Sequence, residues 1–124
     1  RIRRRLGDAG GLEDFGVNLT VLPPGKWSSQ RHWHSDEDEF VYVLEGELVL
    51  VEDGGETILG TGDCAAFPKG GGNGHHLINR SPAPAVSPSA SARTAGTSRI
   101  ATCACCVRRS TAASAWRWRP HRRC

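Results

Sequence analysis

From Phe15 to Leu22 the chain alternates, with apolar side chains at 15, 17, 19 and 21, until Pro23-Pro24-Gly25 stops it. Short runs of the same kind follow at Trp27 to His34, Glu39 to Glu45, Glu47 to Glu52, Thr57 to Leu59, Cys64 to Phe67 and His75 to Ile78. Turn formers stand between them: Ser35-Asp36-Glu37-Asp38, Gly46, Asp53-Gly54-Gly55, Gly60-Thr61-Gly62-Asp63, and a loop from Lys69 to Gly74. A period of two, broken by turn signals every ~8–12 residues, predicts an antiparallel sandwich or barrel. No window holds a helical period. The expected fold class is all-β, with the barrel over residues 12–85, a basic segment at 1–11 and a separate tail at 86–124.

Within Glu39-Phe40-Val41-Tyr42-Val43-Leu44 the odd and even positions take opposite faces. Both faces are apolar apart from Glu39, so the strand is expected to lie between a core and a second layer. A homodimer would supply that layer. Trp27, Phe40, Tyr42 and Phe67 are expected to pack, Cys64 to behave as a small buried apolar residue, and Arg31 to sit at the surface or a dimer contact. Glu45 and Glu47 flank a turn and are expected to be solvated.

The pattern ends near Val86. Ala, Ser, Arg, Thr and Cys make up 30 of the 39 residues from Val86 to Cys124, and no Asp or Glu occurs there. The net charge of +3 hides the split: residues 1–63 hold all 13 acids against 6 bases, and residues 64–124 hold 10 bases and no acid. A basic disordered tail and an out-of-frame reading of a GC-rich gene both give this composition. Ser87-Pro88-Ser89-Ala90-Ser91 is not expected to form a closing strand, because Pro88 removes a ladder donor and small polar residues bury little. Cys103, Cys105, Cys106 and Cys124 match no usual zinc spacing. Arg117, Arg119, Arg122 and Arg123 beside Trp116 and Trp118 resemble a nonspecific nucleic-acid grip, but with no scaffold around them nucleic acid is not an expected partner.

No run approaches the roughly 20 apolar residues of a membrane span. Arg1-Ile2-Arg3-Arg4-Arg5 is not followed by the apolar stretch of a signal peptide. The cytoplasm is the expected location.

His32 and His34 are two apart, which on a strand places both imidazoles on one face. Glu39 follows an acidic turn that can return its carboxylate to that face, and His75 stands on a later strand after Gly70-Gly71-Gly72-Asn73-Gly74. Three imidazoles and one carboxylate suit a single divalent transition metal: Mn, Fe, Co, Ni or Zn. The plain alternative is a solvated His-x-His beside an acidic turn.

The glycine punctuation around these residues resembles the two motifs of the cupin superfamily. Gly25, His32, His34, Glu39 and Gly46 follow the first motif, with one extra residue before His32. Gly62, Pro68, Gly70, His75 and Asn79 follow the second, with two extra residues before His75. Phe40 to Glu47 looks like the strand and turn of small single-domain members. The resemblance implies a double-stranded β-helix, a jelly-roll-like barrel, holding one metal on His32, His34, Glu39 and His75. His76 is the reserve ligand, since adjacent strand residues face opposite ways. It further implies a small organic ligand or substrate in the barrel, sugar-like or a small acid. Isomerisation, dioxygenation and decarboxylation are the candidate reactions. The alternatives are a ligand-sensing module without catalysis and an inactive frameshifted fragment.

Overall fold

The computed structural model of the chain describes residues 1–92 and, beyond them, the backbone of two short strands at 107–109 and 115–118. The strands are β1 (Ile2–Arg5), β2 (Phe15–Leu22), β3 (Glu39–Tyr42), β4 (Glu47–Glu52), β5 (Gly55–Gly60), β6 (Asp63–Phe67), β7 (His76–Ile78), β8 (Ala85–Ala92), β9 (Val107–Arg109) and β10 (Ala115–Trp118). One four-residue helix, α1 (Leu6–Ala9), joins β1 to β2. All strand pairs are antiparallel, in a sheet ordered β1-β2-β8-β3-β6-β10-β9 and a second ordered β5-β4-β7. The two sheets face each other as a jelly-roll-like barrel. Among the described residues, no helix is long and apolar enough to cross a membrane.

The core fills one end of the barrel. Leu22, Val41, Val43, Leu48, Leu50, Leu59, Ala65, Phe67, Leu77 and Ala85 are buried together. Parity explains their selection: Leu48 and Leu50 point inward from β4, Val41 and Val43 from the β3 segment, and Leu77 from β7. Gly46 closes the turn between β3 and β4 at φ +83, where a Cβ would lie 3.0 Å from Ala85 Cα and from Pro84 O. Only glycine meets both demands cheaply. Asn79, fully buried, bonds from Nδ2 to Leu22 O and Ala83 O at 2.7 Å, and its Oδ1 accepts from the Ser81 amide. It ties the end of β2 to the turn leading into β8.

Three expectations change. The barrel is not bounded at 12 and 85: β1 pairs Ile2–Arg5 with Val21–Asn18 along β2, and β8 runs to Ala92 between β2 and β3. The closing strand therefore forms despite Pro88. Pro88 tolerates it because the β3 ladder ends at Val41↔Ser89 and resumes only at the Glu45↔Val86 bridge, so its missing N–H falls in a break. The segment Trp27 to His34 is not a continuous strand. It touches its neighbours through bridges at Trp27↔Ile78 and His32↔His75, with bends between them. Trp27 and Phe40 stand outside the core, 58% and 42% exposed. Phe67 and Cys64 are buried as expected. Cys103, Cys105, Cys106 and Cys124 lie outside the described residues, as do Arg119, Arg122 and Arg123.

Candidate metal centre

Beyond the core, the barrel opens into a cavity of about 260 Å³, just below the roughly 300–1,000 Å³ usual for small-molecule pockets. Strand parity sets its wall. Glu39 is two residues before Val41 on the inward face of β3, and His75 is two before Leu77. The same alternation that builds the core thus delivers a carboxylate and an imidazole where the apolar filling ends. His32 is brought in by its paired backbone bonds with His75, 3.2 Å from its own amide and 2.8 Å from the His75 amide.

Ligand atoms of His32, Glu39 and His75 all lie within 4.8 Å of one another. His75 Nε2 is 3.1 Å from Glu39 Oε2, and His34 Nε2 is 3.4 Å from the same oxygen. His34 stands outside the tight trio but within reach of its carboxylate. Its ring meets that of His32 edge-on at 5.0 Å between centroids. The structure thus gathers all four residues singled out from the sequence. His76 faces the other way and stacks on Trp27 at 5.7 Å.

The three rings differ in what their other nitrogen meets. His32 Nδ1 lies 2.8 Å from the Gln30 carbonyl and 3.2 Å from the Ser29 hydroxyl, contacts that occupy this nitrogen and leave Nε2 for the cluster. Glu37 Oε2 stands 3.9 Å from His34 Nδ1, close to the carboxylate–histidine arrangement that orients a ligating ring. His75 is stacked on Phe67 at 3.5 Å, and its Nδ1 is buried without a partner.

Burial pushes the Glu39 carboxyl up. The hydrogen bond from His75 and the charges of His75, His34 and His32 outweigh that and hold it below its ordinary value. An ionised carboxylate among imidazoles, half removed from water, is a donor set that a divalent cation fits. His76 is shifted down by burial and by the nearby Arg31.

Sequence reasoning missed part of the lining. Glu37, Ser87, Ser89, Ser91, Arg1 and Arg3 all reach the cavity. Glu37 is hidden in an acidic turn. The serines lack the apolar alternation that marks a strand. Arg31 stays at the surface, bonded to Gly74 O at 2.8 Å and paired with Asp53.

Residues 18–87 match the family model described as Cupin domain. A crystal structure of a sugar phosphate isomerase from a cupin superfamily, from Silicibacter pomeroyi, is 58% identical with a TM-score of 0.73, covering 74% of this chain and 59% of that one. One from Acidithiobacillus ferrooxidans, described as a candidate sugar phosphate isomerase, is 33% identical with a TM-score of 0.72, covering 76% and 60%. A β-D-galactosidase of Mycobacterium tuberculosis is 42% identical over 64 residues, 51% of this chain and 53% of the relative. The chain thus spans little more than half the length of these proteins.

Proposed function

The chain belongs to the cupin family, and from that premise we propose that it is a metal-dependent cupin that isomerises a small phosphorylated sugar in the barrel cavity. The observation that carries the reading is the 58% identity, over 74% of this chain, to a structure described as a sugar phosphate isomerase from a cupin superfamily. A second structure described as a candidate sugar phosphate isomerase supports the substrate class, and a relative named as a β-D-galactosidase supports a sugar.

His32, Glu39 and His75 would hold the ion, with His34 closing the set from beside Glu39. A divalent ion there supplies Lewis acidity to a carbonyl or hydroxyl oxygen. The rest falls to the protein. Aldose–ketose isomerisation moves one proton between neighbouring carbons and one from the hydroxyl to the carbonyl oxygen. Glu37, which lines the cavity beside His34, would carry the first from one carbon to the next, and the second would pass between the two vicinal oxygens. The pocket walls hold the substrate.

A homodimer in the cytoplasm completes the proposal. The outward face of β3 exposes Phe40, and Leu44 just beyond it is 50% exposed, the apolar second face that the sequence pattern assigned to a partner chain.

The test is turnover of a panel of aldose and ketose phosphates by metal-loaded protein. Isomerisation that is abolished by chelator is expected. Glu37→Gln is expected to lower kcat by roughly 100-fold when assayed at saturating metal. Ligand binding without turnover across the panel would replace the enzyme with a sensor.

A further inference from the structure

The strands β2 and β8 are inverted relative to strands that face an apolar core. Asn18 and Thr20 from β2, and Ser87, Ser89 and Ser91 from β8, share the inward face, while Val17, Leu19, Val21, Val86 and Pro88 take the other. The register fixes this: Thr20 is opposite Ser87, Asn18 opposite Ser89, and Ser91 opposite Glu39 on β3. Directly opposed residues in an antiparallel pair lie on one face. Thr20, Ser87, Ser89 and Ser91 line the cavity, and none of their hydroxyls has a hydrogen-bond partner among the described residues. A wall of unpaired hydroxyls is a poor surface for an apolar ligand and a good one for a hydroxylated ligand.

The wall has a polarity. One end begins beside Glu39 and the imidazoles. From Ser91 to Ser87 it runs four residues of strand, roughly 13 Å. There the row continues sideways through Thr20 to Arg3, which is opposite Thr20 in the β1–β2 register. Arg1 and Arg3 both line the cavity, and neither has a carboxylate partner among the described residues. Unpaired guanidiniums at the far end from a carboxylate-bearing metal site favour an anion, and their planar fork suits a phosphate.

We infer that Arg3, with Arg1, grips the phosphate of the substrate, and that Thr20, Ser87, Ser89 and Ser91 hold its hydroxyls, so that its other end lies at His32, Glu39 and His75. This rests on the reading of the cavity as a sugar site. It assigns the specificity for phosphorylated over free sugars to the N-terminal strand.

Calorimetric titration with ribose 5-phosphate and with ribose tests it, with metal content measured in the same samples. The phosphate is expected to tighten binding by at least about tenfold. In Arg3→Ala, and more fully in the Arg1→Ala/Arg3→Ala double variant, the two sugars are expected to bind within about threefold of each other, with ribose unchanged. In Ser89→Ala/Ser91→Ala both sugars are expected to weaken alike, by several-fold, with the phosphate preference intact. Equal affinities in the unaltered protein, or a preference that survives loss of both arginines, would overturn the inference. The preference is read with or without bound metal. A protein that binds both sugars equally contradicts this inference and the phosphorylated substrate but leaves the sugar site standing, whereas one that binds neither overturns the inference together with the sugar-site reading.

Discussion

Glu39 is the residue on which the centre turns. Two imidazole nitrogens approach its Oε2, and replacing the carboxylate with the isosteric amide removes the anionic donor while keeping the shape. Glu39→Gln is expected to weaken metal binding at least about tenfold, read by competition with a coloured chelator. The same residue sets a pH dependence in metal-free protein. Burial raises its carboxyl, but the His75 hydrogen bond and the neighbouring imidazoles outweigh that and hold it below its ordinary value in the folded state. Its contribution to stability is therefore present above the unfolded value and lost as pH falls through the folded one. Urea midpoints of chelated protein are expected to drop on acidification below about pH 4.5, and less steeply in Glu39→Gln. Gly46 carries a different constraint. Gly46→Ala combines a positive φ with a Cβ pressed on the Ala85 and Pro84 backbone, and is expected to cost roughly 2–3 kcal/mol in urea unfolding. Cys64, whose thiol is pushed up by burial and by Asp63, is expected to resist alkylation at pH 8 until the protein is unfolded, as peptide mapping would show.

Among the elements, the joint between β7 and β8 depends on one side chain. Asn79 uses both amide ends on buried or half-buried partners. Asn79→Ala would strand the Leu22 and Ala83 carbonyls, with an expected loss of about 2–4 kcal/mol in denaturant unfolding. How far elements were legible follows from what each strand faces. β2 carries the period of two and β4 an apolar run bounded by Glu47 and Glu52, and the bounds of both agree with the sequence pattern to the residue. β8 was illegible because its inward residues face a wet cavity and so read as small and polar. Pairing with β2 along its length, and with β3 at its end, supplies the order that its own side chains do not. Trp27 to His34 failed in the opposite sense. His32 and His34 do come together, but through bends around the His32↔His75 bridge rather than the regular alternation of a strand. The candidate ligand residues could be singled out because chemistry restricts their types; the hydroxyl and arginine walls could not, because Ser and Arg are common and only the register of β1, β2 and β8 aligns them.

For the whole molecule, one barrel is divided between two tasks: an apolar end that holds the sheets together and a polar end that the same strands reach two residues further along. The apolar outer face of β3 asks for a second layer. Light scattering after size exclusion is expected to give a dimer, and Phe40→Ser with Leu44→Ser is expected to give a monomer that still binds metal. The central claim, that the polar end is a metal centre, is tested most directly by metal content per chain on size-fractionated protein grown with several metals available. The account predicts about one Mn, Fe, Co, Ni or Zn per chain, lost in His32→Ala/His34→Ala while the strand-rich circular dichroism spectrum is kept. A folded protein without metal, or a double variant that keeps it, would contradict the account.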